Sequence, residues 1–346
     1  MTGDTLHVLI QGDARDLSFL PDASVHLVVT SPPYWTLKRY RDHPDQLGHI
    51  EDYERFVDEL SRVWKECFRI LVPGGRLICV VGDVCLSRRR NGRHTVVPLH
   101  ADIAVSCRRL GFDNLNPIIW HKIANATYEV NNGSRFLGKP YEPNAIIKND
   151  IEYILMQRKP GGYRKPTSEQ RRLSKIGKRE YDEWFQQFWR IPGASTRDHP
   201  APFPLELAYR LVRMFSFFGD IVVDPFCGTG TTMLAAMRAS RHSVGVEIDP
   251  AYSQMALQRL DREAHSLFSR TRVRMTTPSG FVEMGRQISP VPSSGPASGP
   301  VYGMHSGNDG VERDRILRQL SERGRVWSVR SPSEVDYEQP DAGPIE

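Results

Sequence analysis

Apolar residues along this chain come in short unbroken blocks and in stripes of helical spacing, and the two alternate. Leu6–Ile10 reads as a strand that runs into Gln11-Gly12-Asp13, and Val25–Thr30 as a second strand. From Tyr53 to Leu71 the apolar positions Phe56, Val57, Leu60, Val63, Trp64, Cys67, Phe68 and Leu71 follow the helical period, and Pro73-Gly74-Gly75 is expected to stop that helix. A strand at Arg76–Gly82, a helix at Pro98–Leu110 ended by Gly111, and strands at Pro117–Trp120 and Ile151–Met156 follow. The rhythm returns with an amphipathic helix at Leu205–Phe218, a strand at Ile221–Asp224, a helix from about Gly230, a strand at Ser243–Ile248 and a helix at Pro250–Leu260. Continuously apolar strands separated by helices predict an α/β fold with one largely parallel sheet and helices on both faces.

The pattern loosens between Trp120 and about Pro192, where Asn131-Asn132-Gly133, Gly161-Gly162-Tyr163 and the basic stretch Arg164–Arg179 suggest irregular surface structure. Beyond Thr276, Pro290-Val291-Pro292-Ser293-Ser294-Gly295-Pro296 is linker-like, and Val311–Arg323 could form a short helix within a poorly ordered tail. The expected divisions are therefore 1–121, 122–192 (with sheet-core residues near 151–156), 193–265, and a flexible tail over 277–346.

Composition narrows the class. No apolar run approaches the roughly 18 residues that span a membrane, and the N-terminus lacks the basic-then-apolar pattern of a secretory leader. The five cysteines, Cys67, Cys79, Cys85, Cys107 and Cys227, are odd in number and form no C-x-x-C pair, which suggests a reduced, cytoplasmic protein without a metal site. The formal net charge of +5 is compatible with a polyanionic partner without identifying one.

Two segments carry chemistry. In Thr30-Ser31-Pro32-Pro33-Tyr34-Trp35 the prolines force the chain stiffly out of the sheet. The resulting loop offers a hydroxyl, free carbonyls and two aromatic faces, a set suited to gripping a flat ring by its polar edge; an ordinary proline turn would look the same. In Asp224-Pro225-Phe226-Cys227-Gly228-Thr229-Gly230-Thr231-Thr232 a glycine turn joins strand to helix, and no lysine follows it as in a phosphate loop. Glu247 ends the next strand about twenty residues on, where a carboxylate typically accepts from ribose hydroxyls. Together these suggest an adenosine-containing ligand without phosphates.

With these two motifs in this order, the chain resembles the beta group of S-adenosylmethionine-dependent DNA amino-methyltransferases, over roughly Leu6 to Leu260. The resemblance implies a Rossmann-like methyltransferase sheet with a permuted motif order: catalytic motif first, irregular target-recognition insert in the middle, cofactor loop last. It implies S-adenosyl-L-methionine as cofactor, held by Phe226, Gly228, Gly230, Thr231, the ribose acceptor Glu247, the adenine acceptor Asp13 and Phe203 in His199–Pro204. Asp224 either contacts the amino-acid moiety or only holds the loop's amides. Gln46-Leu47-Gly48 is a further family pattern, and Cys227 reads as packing rather than as a nucleophile.

The resemblance also implies that Ser31 and the Pro32 carbonyl, with Pro33 stiffening the loop, accept the amino hydrogens of a flipped-out base, while Tyr34 and Trp35 stack on it. No Pro-Cys dipeptide is present, which argues against C5-cytosine chemistry. Serine rather than aspartate at position 31 favours N4 of cytosine, with N6 of adenine second. RNA or protein methylation and an inactive nucleic-acid-binding homologue are more distant readings. Double-stranded DNA is the expected partner, which would place the protein on the nucleoid. Lys38, Arg39, Arg41, Arg88, Arg89, Arg90 and Arg93 are expected on phosphates. Lys165–Arg179 adds further basic residues, and Asn125, Asn131, Asn132 and Arg135 fall in the recognition region. A separate cognate restriction endonuclease is the second partner, and the chain itself is expected to be a monomer or homodimer.

Overall fold

The computed structural model describes residues 5–37, 40–86, 91–122, 149–194, 203–266 and 271–286. Eleven strands, β1 to β11, lie among them: Leu6–Gln11, Val25–Thr30, Leu71–Val81, Val84–Leu86, Thr95–Val97, Asp113–His121, Ile151–Arg158, Phe188–Arg190, Ile221–Asp224, His242–Glu247 and Arg272–Thr276. Nine form one sheet in the order β11-β1-β10-β9-β2-β3-β7-β6-β8, and β4 pairs β5 in a hairpin. Every neighbour from β11 through β3 is parallel; β7 alone runs against both β3 and β6, and β8 again parallels β6.

Among the described residues eight α-helices, α1 to α8, span Tyr53–Ile70, Leu99–Arg109, Ser168–Leu173, Lys178–Trp184, Leu205–Phe215, Thr231–Arg238, Pro250–Ser266 and Pro278–Arg286. Successive strand residues point to opposite faces. Leu77, Cys79 and Val81 accordingly join one core cluster with Phe56, Trp64 and Ile103, while Ile78 and Val80 join another with Leu207, Leu211 and Ala235. Helices thus cover both faces, as the alternation predicts. Helix α1 shows the sequence logic: Asp52 caps it by accepting from the Arg55 amide, and its apolar positions Phe56, Leu60, Val63, Trp64, Cys67 and Ile70 are the buried ones.

Three expectations need correction. Helix α1 ends at Ile70, and Pro73-Gly74-Gly75 lies inside β3, where the pairing with β2 jumps from Val25↔Leu71 to Leu27↔Arg76. The stretch before Pro192 is not all irregular. Helix α3 has a full capping box at Thr167 and Gln170, and β8 adds an edge strand whose Trp189 is buried beside Trp120. Nor does looseness begin at 277, because α8 occupies Pro278–Arg286 and packs Phe281 edge-on against Phe19, centroids 5.6 Å apart. Val311–Arg323 lies outside the described residues. Among the described residues no helix is long and apolar enough to cross a membrane.

Candidate active site

The strand order places the two motifs side by side. Strands β9 and β2 are neighbours although nearly 200 residues separate them, so the loops leaving their C-terminal ends emerge together, with those of β10 and β1 next to them. This is the switch-point crevice where open α/β sheets bind ligands. A cavity there is lined by Gly12 and Asp13 after β1, Ser31 and Pro33 after β2, Phe226 and Gly228 after β9, and Glu247 at the end of β10.

Each lining group is fixed by local chemistry. Glu247 Oε2 accepts the Gly228 amide at 2.8 Å and Oε1 accepts the Asp249 amide at 3.0 Å. Burial pushes its acid up to about 7 despite those two donors, and each oxygen retains a further lone pair for a hydroxyl donor. Asp13 is gripped by Arg15, whose Nη2 donates to Oδ2 at 2.6 Å and whose Nη1 reaches Glu59 at 2.6 Å. Phe226 is steadied edge-on by Trp64, 6.3 Å between centroids. Gly230, the N-cap of α6, has φ +80°, a left-handed conformation that favours glycine. The fit to an adenosine-type ligand is good: a buried acceptor, an aromatic wall, close backbone approach, and no lysine in the glycine loop.

Other expected residues lie beside the cavity rather than on its wall. Asp224 is buried; its Oδ1 accepts from Thr30 Oγ1 at 2.7 Å and from the Phe226 amide at 3.1 Å, and burial raises its acid to about 6. Its carboxylate therefore holds the loop's amide. Thr231 and Gly230 belong to the turn and start of α6, and Phe203 packs in the core under α5. Cys227 is buried against Gly245, where a Cβ would come within 3.0 Å of its Sγ, and burial pushes its thiol up, as suits packing.

In the loop after β2, Ser31 is half-buried on the cavity wall, Pro32 and Tyr34 are buried, and the Tyr34 hydroxyl donates to Glu152 Oε2 at 3.0 Å. Trp35 turns away, donating its indole N–H to the Ile50 carbonyl at 2.8 Å and meeting Tyr53 edge-on. Arg41 lies over the Tyr252 ring at the cavity's mouth, 5.4 Å from its centroid, and Arg93 is exposed in the β4–β5 turn. Lys38, Arg39, Arg88, Arg89 and Arg90 lie outside the described residues, as do Asn125, Asn131, Asn132 and Arg135.

Sequence reasoning missed Tyr40 and Tyr252, which also line the cavity. Tyr252 could have been found from its place in the first turn after Glu247-Ile248-Asp249-Pro250. Tyr40 has no such signal. It reaches the wall because its ring packs on Gly48, where a Cβ would lie 2.5 Å from the Tyr40 Cδ2.

The sequence profile of the DNA methylase family matches residues 25–258. The type II methyltransferase M.MjaI of Methanocaldococcus jannaschii is 38% identical over 277 residues, covering 71% of this chain and 88% of the relative. The type II methyltransferase M.MthZI of Methanothermobacter thermautotrophicus is 33% identical over 281 residues, covering 74% and 77% respectively. Among solved structures, TTHA0409 of Thermus thermophilus, assigned as a DNA modification methylase and crystallised with S-adenosyl-L-methionine, is 58% identical with a TM-score of 0.64, covering 79% of this chain and 98% of its own. The motif pair, their permuted order and the shared crevice all agree with that match: the chain belongs to the N4-cytosine/N6-adenine family of DNA methylases.

Proposed function

We propose that this chain methylates the N4 amino group of a cytosine flipped out of duplex DNA, using S-adenosyl-L-methionine, as the modification enzyme of a restriction–modification pair. The observation that carries this reading is that Ser31 and Pro33 share one cavity with Phe226, Gly228 and Glu247. The amino acceptor and the cofactor wall therefore face a common space.

S-adenosyl-L-methionine would supply an electrophilic methyl group on a sulfonium. Glu247 would accept from the ribose hydroxyls and Phe226 would wall the ligand. Asp13 would take the adenine amino group, with Gly228 and Gly230 allowing close approach, and Tyr40 and Tyr252 would close the open side. The exocyclic amine of cytosine is a poor nucleophile because its lone pair is delocalised into the ring. Ser31 Oγ and the Pro32 carbonyl, accepting its two hydrogens, would draw the nitrogen toward a tetrahedral shape and aim the lone pair at the methyl group. Transfer would break the methyl–sulfur bond and leave a neutral thioether, and the methylated nitrogen would release one of its protons to solvent water. Catalysis of this kind is positioning plus electrostatic complementarity, without a covalent enzyme intermediate. Tyr34 would stack on the flipped base, with Trp35 bracing the loop behind it. Lys38, Arg39, Arg41, Arg88, Arg89, Arg90 and Arg93 would hold phosphates, which predicts binding that weakens steeply with salt.

Duplex DNA incubated with the protein and labelled cofactor, then digested to nucleosides, should yield N4-methylcytosine by mass spectrometry. N6-methyladenine instead would change the base, and methyl transfer to RNA but not duplex DNA would overturn the reading. Ser31→Ala should lower turnover at least roughly tenfold while cofactor affinity by calorimetry stays near wild type, because it removes an acceptor that works in the transition state.

A further inference from the structure

The two hydroxyls of the catalytic loop begin a hydrogen-bond chain that leads away from the cavity. Ser31 Oγ donates to the Tyr34 hydroxyl at 3.3 Å, and that hydroxyl donates to Glu152 Oε2 at 3.0 Å, with the Val80 carbonyl a longer alternative acceptor at 3.5 Å. The other oxygen of Glu152 is paired with the Lys122 ammonium. Glu152 sits near the start of the reversed strand β7 and is 6% exposed, two residues before buried Ile154 and four before buried Met156. Its stem lies against Gly82, where a Cβ would already come within 3.1 Å of the Glu152 Cγ. A carboxylate held this tightly under the loop is costly to bury, and pairing on both oxygens is what makes it tolerable.

The direction of the chain follows from what each group can do. An ionised carboxylate accepts and never donates, so Tyr34 must donate to it. The Tyr34 oxygen is then left to accept from Ser31, and the Ser31 proton is committed inward. Ser31 faces the cavity with lone pairs only. An amino group brings N–H donors, so a Ser31 proton pointing into the cavity would oppose donor to donor.

We propose that Glu152 is a positioning residue that sets the hydrogen-bond direction of the catalytic loop, so that Ser31 presents an acceptor to the amino group of the target base. This rests on the reading of Ser31 given above. No bond forms or breaks along the chain; Glu152 acts only by orienting the two hydroxyls.

The test is Glu152→Gln, which is nearly isosteric. The Lys122 ammonium can only donate, so it should hold the amide oxygen and turn the NH2 toward Tyr34. The chain then runs backward, and the Ser31 proton points into the cavity. Turnover should fall roughly a hundredfold, the lower end of the scale seen when one transition-state hydrogen bond is lost. KM for DNA, cofactor affinity by calorimetry and melting temperature should stay near wild type. In a Tyr34→Phe or Ser31→Ala background, adding Glu152→Gln should cost nothing further, because the chain is already cut.

Wild-type turnover in Glu152→Gln would overturn the proposal. So would a loss confined to KM or melting temperature, or one that adds in full to Tyr34→Phe. If Ser31→Ala itself keeps full turnover, the amino-clamp reading fails and this inference with it. If Ser31→Ala is impaired while Glu152→Gln is normal, only the inference fails.

Discussion

Glu247 is a carboxylate whose acid strength the fold works against. Burial at the end of β10 lifts its acid from the ordinary glutamate range to about 7, because the two amide donors do not fully offset lost hydration. The folded protein without ligand therefore binds this proton more tightly than the unfolded chain does. The stabilising effect is present at low pH and is lost as pH rises from the ordinary carboxylate range through about 7. Ligand hydroxyls that donate to the ionised form reverse the preference, so cofactor affinity should rise with pH up to about 7 and level off above it. Glu247→Gln should weaken cofactor binding at pH 8 and flatten its pH profile. It should also shrink the difference in ligand-free melting temperature between pH 5 and pH 8. Calorimetry and thermal melts across that range check both, and an unchanged binding profile in the variant would remove Glu247 from the ribose role.

The turn from β9 into α6 works because two of its residues have no side chain to place. Gly230 sits at φ +80°, and a Cβ there would come within 3.2 Å of the Ala256 Cβ on α7. Gly230→Ala combines a left-handed backbone penalty with that contact and should destabilise the protein by about 2 kcal/mol. Denaturant titration should show this as a lower midpoint at unchanged slope. This element was readable in sequence, and so were β1, β2, β9 and β10, because strands buried on both faces leave continuous apolar runs such as Val25-His26-Leu27-Val28-Val29. Helices α3 and α4 and strand β8 were not. They are three to seven residues long and bury little beyond Trp184 and Trp189, so no period emerges. Helix α8 was hidden because it stands at the edge of the composition change and buries Phe281 from a nine-residue segment. In the candidate site, Ser31, Phe226, Gly228 and Glu247 were legible because backbone geometry ties their spacing to a strand end. Tyr40 was not, since only the folding-back of the segment near Gly48 brings it to the wall.

At the scale of the whole molecule, the two halves of the sheet that carry Ser31 and Phe226 lie far apart in sequence, and one buried side-chain bond reinforces the β2–β9 pairing that joins them. Thr30 Oγ1 donates to Asp224 Oδ1 at 2.7 Å across 194 residues, directly before Ser31 and at the head of the cofactor loop. The Thr232 hydroxyl lies within reach of both Asp224 and the Val29 carbonyl, the latter at 3.3 Å, and its single proton serves one or the other, so α6 is tied into the same joint. Thr30→Val keeps the shape and removes the donor, leaving a buried carboxylate short of one partner, a loss of about 1–3 kcal/mol. Because burial already raises the Asp224 acid to about 6, the ionised form that needs the donor predominates only above that pH. The destabilisation by Thr30→Val should therefore be larger at pH 8 than at pH 5, in paired denaturant titrations. The joint also serves two loops at once. Ser31→Ala should affect turnover alone and Glu247→Gln cofactor binding first, whereas Thr30→Val should lower turnover and weaken cofactor binding together. A Thr30→Val protein in which only one of the two changes would show that the halves are positioned independently of this bond.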